Sequence, residues 1–227
     1  MSREGAARPV LGIIGGTGVL GVGLSRRWVK AGYPVVIGSR DPAKAGEAAS
    51  ALEAAFSGAK AEGAGYAEDA AAAGIVVLTV PYQHQPEVIE AIRPALRGQL
   101  VLDTTVPLTP GDAAIVQLPP AGSAAVALQQ RLENTARVVS AFHTIPAKSL
   151  REENGFACDV LVFGDAAEDR DSAIRLVDDA GMHGIHGGPL ANSAAAEAMT
   201  SVLISINRAY AIRNACLTIT GLDRDQS

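Results

Sequence analysis

Three glycines follow a short apolar segment near the start of the chain, and their spacing is suited to binding a dinucleotide. Gly16, Gly18 and Gly21 form the pattern G-x-G-x-x-G directly after the apolar run Val10–Ile14. Without side chains, such a turn lets the backbone approach a pyrophosphate, and the free N–H groups at the start of the next helix bind its charge. The pattern alone fits many proteins. Here a strand, a helix and a second strand flank it in the expected order, which favours a dinucleotide site over a simple turn.

The end of the second predicted strand indicates which dinucleotide would bind. Pro34–Ile37 leads into Gly38, Ser39 and Arg40, so no carboxylate stands where an NAD site would bind the ribose hydroxyl. A hydroxyl and a guanidinium would bind a 2′-phosphate, and Lys44 would add a second positive charge. Alternatively, Ser39 caps the following helix and Arg40 is merely solvated. The sequence therefore predicts NADP rather than NAD.

Polar residues also follow two later strands. The segment Thr79–His84 ends the apolar run that begins at Ile75, and His143 follows the run Arg137–Phe142. Thr79–His84 is predicted to flank the nicotinamide ribose and ring, and the segment that begins at His143 to wall the second ring. Alternatively, His84 is a solvated loop residue and His143 bonds a neighbouring carbonyl. The predicted cofactor residues are Gly16, Thr17, Gly18, Val19, Leu20, Ser39, Arg40, Lys44, Thr79, Val80, Pro81, His84, Ala141 and His143.

A second ring would need its own wall beside the nicotinamide. The predicted substrate residues are His143, Thr144, Ile145, Pro146, Leu203, Ile206 and Asn207. Periodicity places Leu203 and Ile206 equally well in the core. No nucleophile or acid–base triad is visible, so no catalytic side chain is predicted. His183 and His186 lack a third ligand nearby, and a metal site is therefore not expected.

Strand and helix patterns alternate along the chain. This alternation predicts an α/β fold, a doubly wound and mostly parallel Rossmann sheet with a small C-terminal α/β extension. We expect an NADP-binding domain over residues 1–146 and a small substrate domain over residues 147–227. Pro107–Gly122 is predicted to be a long loop, and Ser193–Tyr210 a long helix.

Composition excludes several classes of function. The 227 residues carry a net charge of −5, are 48% hydrophobic and only 4% aromatic, which argues against a nucleic-acid partner. The sequence shows neither a membrane span nor a signal peptide. Cys158 and Cys216 lack C-x-x-C spacing and are predicted to be buried thiols in a reducing compartment. We therefore expect a cytoplasmic protein.

Several motifs together resemble one family over Val10 to Leu222. They are GIIGGTGVLG, VVIGSRDPAKA, VVLTVPYQH, VSAFHTIPA, DVLVFGD and GPLANSAAAEAMTSVLISINR. These segments are similar to the NADP-dependent oxidoreductases of the deazaflavin coenzyme F420. Two features depart from that pattern: Val19 replaces a polar residue that would face the phosphates, and the Pro107–Gly122 loop is divergent.

The resemblance implies direct and reversible hydride transfer between NADP(H) and F420 as co-substrate. In that chemistry the cofactors carry the reaction, and the protein stacks their rings and excludes water. The residues alone leave two alternatives: an NADP-dependent reductase of an imine, pterin or hydroxy acid, and a non-enzymatic NADP sensor. A homodimer is also expected, formed through the long C-terminal helix, its small face at 194–198 and the Pro107–Gly122 loop.

Overall fold

The computed structural model describes residues 8–151 and 158–222 of the chain. Its strands are β1 (Leu11–Ile14), β2 (Val35–Gly38), β3 (Ala61–Ala64), β4 (Ile75–Leu78), β5 (Leu100–Asp103), β6 (Arg137–Ser140), β7 (Asp159–Phe163) and β8 (His183–Gly188). Its α-helices are α1 (Val19–Lys30), α2 (Pro42–Ala55), α3 (Tyr66–Ala72), α4 (Gln85–Ile92), α5 (Ala124–Leu132), α6 (Ala167–Asp179) and α7 (Ser193–Ala209).

All eight strands form one sheet in the order β3-β2-β1-β4-β5-β6-β7-β8. The pairs are parallel except β6 and β7, which run antiparallel and meet at Ser140 and Phe163. The reversal of strand order beside β1 and the helices on both faces make this a doubly wound Rossmann sheet, as predicted. β7 and β8 continue the same sheet and form, with α6 and α7, the C-terminal extension.

The central strands are mostly apolar because helices cover both faces of the sheet. Every residue of β1, β2 and β5 is buried. On one face, Trp28 of α1 is fully buried, donates from its indole nitrogen to the carbonyl of Leu176 at 2.8 Å, and meets the ring of Phe142 edge-on. On the other face, α4 and α5 pack over the sheet through residues such as Ile89 and Leu128. Within the described ranges, no helix is both long and apolar enough to cross a membrane.

Local sequence explains where the helices beside the site begin and end. Asp41 caps α2 by accepting hydrogen bonds from the amides of Ala43 and Lys44, and Pro42 occupies the first turn, where its missing N–H is harmless. The helix α4 ends at Ile92. The chain then tightens into a short 3₁₀ turn around Pro94, which cannot continue the helical hydrogen bonds.

One prediction about the cysteines is wrong. Cys158 and Cys216 are joined in a disulfide between positions 58 residues apart. Cys158 directly precedes β7, and the segment after α7 runs beside that strand, where the carbonyl of Leu217 accepts from the amide of Asp159 at 2.9 Å. Their spacing in the sequence carries no sign of this tertiary contact.

Candidate functional site

The glycine turn between β1 and α1 is built for close backbone approach. Gly15 adopts a φ of +84°, and the amides of Gly15 and Gly16 both donate to the carbonyl of Gly38 at the end of β2. A Cβ on Gly16 would lie 2.8 Å from the carbonyl oxygen of Ile13, and one on Gly21 would lie 2.6 Å from the Cα of Gly16. Gly16 and Gly21 therefore hold the turn together, leaving no room for side chains.

Gly18 has a different environment. It precedes α1 as an exposed residue, and a Cβ there would meet only the carbonyl oxygen of Gly15, at 3.2 Å. Packing within the protein therefore does not explain this glycine as it explains Gly16 and Gly21. The missing side chain leaves open space at the start of α1, where free backbone N–H groups attract an anion.

A cavity of about 180 Å³ opens above this turn. Its lining residues are Gly15, Thr17, Gly18, Ser39, Arg40, Tyr66, Thr79, Val80, Pro81, His84, Glu87 and Val88. The structure thus brings together eight of the predicted cofactor residues, from the glycine turn, the end of β2 and the segment after β4. Val19 is instead 46% exposed beside the turn, while Leu20 packs against the core.

The end of β2 presents the guanidinium of Arg40 to this cavity. Ser39 is buried and accepts from the amide of Asp41 at 3.2 Å, and Arg40 is exposed at the cavity wall. Lys44 does not line the cavity. Its ammonium group lies 3.8 Å from a carboxylate oxygen of Asp41. Arg40 is therefore the main positive group available to an anionic ligand at this wall.

Tyr66 is a cavity residue that the sequence did not reveal. It is the first residue of α3 and lies next to Arg40, and its half-buried position raises the pKa of its hydroxyl, an effect that Arg40 partly opposes. The ring and the guanidinium thus flank the same end of the cavity. No sequence pattern marks a tyrosine at this point, because α3 reaches the tip of β2 only through the order of strands in the sheet.

A larger cavity of about 490 Å³ adjoins the first, and Pro81 lines both. One wall consists of Pro81, Tyr82 and Gln83, and the other consists of the segments 106–108 and 117–120 together with Pro110. The second wall belongs to the long loop that the sequence predicted as divergent. This cavity lies at the carboxyl ends of β4 and β5, where open α/β sheets bind their ligands.

The predicted His143–Pro146 element is more enclosed than expected. His143 is only 5% exposed, its Nε2 lies 2.6 Å from the hydroxyl of Ser140, and its carbonyl accepts from Thr200 of α7. Burial lowers the pKa of His143 to about 3, so the ring is neutral at ordinary pH. The preceding residue, Phe142, has a φ of +66°, an unfavourable backbone conformation that is frequently found near functional sites.

The remaining predicted residues line neither of the two cavities. Ala141, Thr144, Ile145 and Leu203 are buried, and Pro146 and Ile206 are half-buried. Asn207 is also half-buried, and its side-chain oxygen accepts from the amide of Ala215 at 3.1 Å. The buried residues of α7 include the polar Ser193, Glu197 and Ser201 beside Leu203. Glu197 accepts from the amides of Ala124 and Ala125 in α5, and Ser193 donates to Glu197. Ser201 donates to a carbonyl of the long loop. Hydrophobic periodicity cannot show such contacts.

The two histidines of β8 have separate partners. Nδ1 of His183 lies 3.2 Å from Asp159, and Nε2 of His186 lies 3.3 Å from Asp171. In the described part of the chain, no group of three or more His, Cys, Asp or Glu residues is placed to hold a metal ion.

Comparison with known proteins adds independent information. The family model described as "NADP oxidoreductase coenzyme F420-dependent" matches residues 10–107. The F420-dependent NADP reductase of Methanothermobacter thermautotrophicus is 37% identical over 224 residues, covering 95% of this chain and 97% of that protein. The enzyme of the same name from Methanocaldococcus jannaschii is 35% identical and covers 94% and 99%.

Solved structures agree on the architecture. A putative F420-dependent NADP reductase from Arthrobacter sp. FB24 superimposes with a TM-score of 0.78 at 25% identity, covering 93% of this chain and 98% of that one. The imine reductase BcSIRED from Bacillus cereus has a TM-score of 0.62 at 17% identity, and the match spans 63% of its chain. The second likeness concerns the fold alone.

Proposed function

The chain belongs to the family of F420-dependent NADP reductases, and from this premise we propose that it transfers a hydride reversibly between NADP(H) and coenzyme F420. The relatives match almost the full length of the chain and of their own sequences, so the whole enzyme is comparable. An NADP-dependent reductase of an imine, pterin or hydroxy acid, or a non-enzymatic sensor, is not favoured by these relatives.

The observation that carries this proposal at the site is the pair of adjoining cavities that share Pro81. The smaller one begins at the glycine turn and Arg40, which suit a pyrophosphate and a 2′-phosphate. A dinucleotide lying along it would end near Thr79–Pro81, at the mouth of the larger cavity. Two flat rings can then stack across that mouth with their reacting carbons about 3–3.5 Å apart.

The residues present fit NADP. Gly18 leaves space for phosphate oxygens at the start of α1, and Arg40 offers planar donors at the end of β2, with Ser39 beside it. The proposed NADP site keeps the predicted set, namely Gly16, Thr17, Gly18, Val19, Leu20, Ser39, Arg40, Lys44, Thr79, Val80, Pro81, His84, Ala141 and His143, and adds Tyr66. The contribution of Lys44 is the weakest, since Asp41 already pairs with it.

The protein positions the two ligands and keeps water away from them. When bound, the nicotinamide and the deazaflavin supply the hydride chemistry between themselves. Thr79 is fixed by a hydrogen bond from its hydroxyl to the carbonyl of Ile14 at 3.0 Å, so the chain beside the ring is rigid. His143 is neutral and turned toward Ser140, which suits a structural wall rather than a proton donor. No catalytic side chain is therefore proposed.

We propose that residues 147–227 complete the deazaflavin site as a small substrate domain, attached to the NADP-binding domain over residues 1–146. The proposed substrate residues are His143, Thr144, Ile145, Pro146, Leu203, Ile206 and Asn207. None of these residues lines the larger cavity, which is walled by residues from within 81–120. Their support is the bond between Thr200 of α7 and the carbonyl of His143, which holds that helix against the end of β6.

We also propose a homodimer. Leu108, Ile115, Val116 and Leu118 of the long loop and Val202 of α7 are each more than a third exposed, which is unusual for a group of large apolar side chains. Ser201 of α7 bonds to the carbonyl of Ile115, so the loop and the helix form one surface.

A cytoplasmic location is proposed as well, because both redox cofactors are intracellular metabolites. The Cys158–Cys216 disulfide argues the other way, since disulfides are rare in reducing compartments. Separating periplasmic and cytoplasmic fractions would test the location. Alkylating free thiols in intact cells before lysis would test whether Cys158 and Cys216 are oxidised there. The proposal expects the protein in the cytoplasmic fraction, and recovery elsewhere would contradict it.

A coupled absorbance measurement tests the function. NADPH and oxidised F420 are mixed with the enzyme. The loss of the visible band of oxidised F420 and of the near-ultraviolet band of NADPH is followed over time. Equal molar loss of NADPH and oxidised F420 is expected, and the reaction should reverse with reduced F420 and NADP⁺. Failure to bleach F420 while NADPH still binds would contradict the proposal.

A further inference from the structure

The two walls of the larger cavity are joined behind their lining by a buried polar network. Gln85 is the first residue of α4, two positions after the wall residue Gln83, and Thr105 directly precedes the wall residue Val106. The side-chain amide of Gln85 donates to the hydroxyl of Thr105 at 2.8 Å. Both side chains are almost completely buried.

Asp103 anchors this network to the sheet. It is the last residue of β5, it is fully buried, and it accepts from the amide of Thr105 at 3.1 Å and from its hydroxyl at 3.2 Å. The amide of Gln85 also lies 3.3 Å from an oxygen of Asp103. The network therefore connects the end of a rigid strand with both of the segments that form the cavity walls.

Burying a polar network of this kind lowers the stability of the fold relative to apolar packing. Burying an amide, a hydroxyl and a carboxyl costs free energy that apolar side chains of the same size would not, even when each group is hydrogen-bonded. Burial also raises the pKa of Asp103 to about 7. Directional hydrogen bonds do something that apolar packing does not, since they fix the distance between the two chain segments that they join.

The outer part of the second wall is held by α7. Ser201 donates to the carbonyl of Ile115, and Arg208 forms an exposed ion pair with Asp112. At the end of the loop, Glu197 accepts from the amide of Ala124 at 2.7 Å. These contacts fix the far side of the loop. The near side, at Val106, is joined to α4 through the Gln85–Thr105–Asp103 network and to β4 through the hydroxyl of Thr104, which donates to the carbonyl of Leu78 at 2.7 Å.

We propose that Gln85, Thr105 and Asp103 are positioning residues that set the width of the larger cavity and so the alignment of the second substrate's ring. This inference rests on the proposed function, in which that cavity receives the deazaflavin. None of the three lines the cavity, so they act through Gln83 and Val106 rather than by touching the substrate. Misalignment of about 1 Å can lower the rate of such a transfer by up to about a hundredfold.

Thr105→Val is the sharpest variant, because valine keeps the shape of threonine and removes only the bridging hydroxyl. We expect the KM for F420 to rise about tenfold and kcat to fall severalfold, with the KM for NADPH unchanged within twofold. Thr105→Ser retains the hydroxyl and should restore both values to within about twofold of the wild type. Arg93→Ala, which removes an exposed ion pair with Glu133 at the other end of α4, serves as the control and should change none of them.

Gln85→Leu tests the other end of the bridge and should give the same pattern. Since the two side chains belong to one hydrogen-bonded network, the effects of the two substitutions should not add, and the double variant should be little worse than either single variant. Circular dichroism and the melting temperature report whether each variant is folded, and Thr105→Val remains informative if Gln85→Leu is not.

Three outcomes would overturn the inference. If Thr105→Val lowers only the melting temperature, the network is merely structural. If the KM for NADPH rises as much as that for F420, the network acts on the dinucleotide site. If the wild-type enzyme does not transfer a hydride to F420 at all, the proposed function is wrong and this inference is wrong with it. Activity in the wild type together with an unaffected Thr105→Val variant would instead contradict this inference alone.

Discussion

Arg40 and Gly18 show how single residues define the dinucleotide site. The sequence predicted both, since each belongs to a local pattern whose chemistry is known. The structure places them on one cavity, Gly18 at the start of α1 and Arg40 at the end of β2. It also shows that Lys44, the second predicted cation, is paired with Asp41. Choice of cofactor should therefore depend chiefly on Arg40.

Replacing Arg40 with Asp should reverse the cofactor preference. The variant loses a planar donor for the 2′-phosphate and gains a repulsive charge, at a cost for NADPH of about 2–4 kcal/mol. Dissociation constants for NADPH and NADH, measured by fluorescence titration, check this. Lys44→Ala is the control and should change NADPH binding by only a small factor. Equal binding of the two dinucleotides by the wild type would contradict the assignment of the 2′-phosphate site.

Gly18→Val should abolish dinucleotide binding without unfolding the chain. Its added side chain would enter the cavity and meet only one backbone oxygen of the protein. Gly21→Ala is the contrasting variant, since its Cβ would collide with Gly16 and lower stability directly. Circular dichroism should therefore be normal for Gly18→Val, and thermal stability reduced for Gly21→Ala. Near-normal NADPH affinity in Gly18→Val would mean that the glycines serve only as a turn.

At the scale of elements, sequence patterns predicted most of the sheet because strands and helices alternate and the apolar runs are continuous. The ends of elements were less predictable, as at Pro94, where the helix tightens before the next strand. Contacts between distant segments were not predictable at all. Tyr66 reaches Arg40, Glu197 reaches the start of α5, and Cys158 reaches Cys216 only because of how the elements pack. Each depends on tertiary geometry that no local spacing encodes.

The packing of α3 on β1 and β2 has a consequence for stability. Asp69 of α3 is fully buried, and its carboxyl oxygens would touch any Cβ added at Gly12 or Gly38. Neither oxygen has a well-formed hydrogen bond within the described residues. Burial raises the pKa of Asp69 from 3.8 to about 8, and the nearby amide of Ile13 opposes this only in part.

The raised pKa makes stability depend on pH. Between about pH 4 and pH 8 the folded chain keeps a proton on Asp69 that the unfolded chain has lost, so the free energy of unfolding falls as pH rises through this range. The slope from one such group is at most about 1.4 kcal/mol per pH unit. Asp69→Asn should remove it, giving a smaller loss of stability between pH 5 and pH 8 in urea denaturation.

The exposed Glu90 provides a matched control for that measurement, and Glu90→Gln should keep the wild-type dependence. Asp103 and Glu197 are also buried with pKa values raised to about 7, but they contribute equally to both proteins and cancel in the difference. An unchanged pH dependence in Asp69→Asn would show that this carboxyl is ionised in the folded chain.

At the scale of the molecule, the described residues form one continuous sheet, and two adjoining cavities open at the carboxyl ends of its central strands. Its family membership rests on relatives that match nearly the whole chain. The long loop walls the larger cavity, and both the loop and α7 present exposed apolar side chains. The loop would therefore serve the substrate site as well as the proposed contact between two copies.

Sedimentation velocity at micromolar concentration should give the mass of a dimer. Ile115→Asp places a charge on the loop surface, and it should shift the protein to the monomer while leaving NADPH binding intact. Thr17 and Arg40 lie on the other cavity, so the dinucleotide site provides an internal control for folding. A clean monomer mass for the wild type would contradict the dimer.

Isotope tracing tests the central claim most directly, because it follows the hydride itself. NADPH carrying deuterium at both C4 positions is incubated with the enzyme and oxidised F420, and the product is analysed by mass spectrometry and NMR. Direct transfer between two stacked rings predicts one deuterium at C5 of the reduced deazaflavin and none released to water. Loss of the label to solvent, or turnover of NADPH without reduction of F420, would contradict the account.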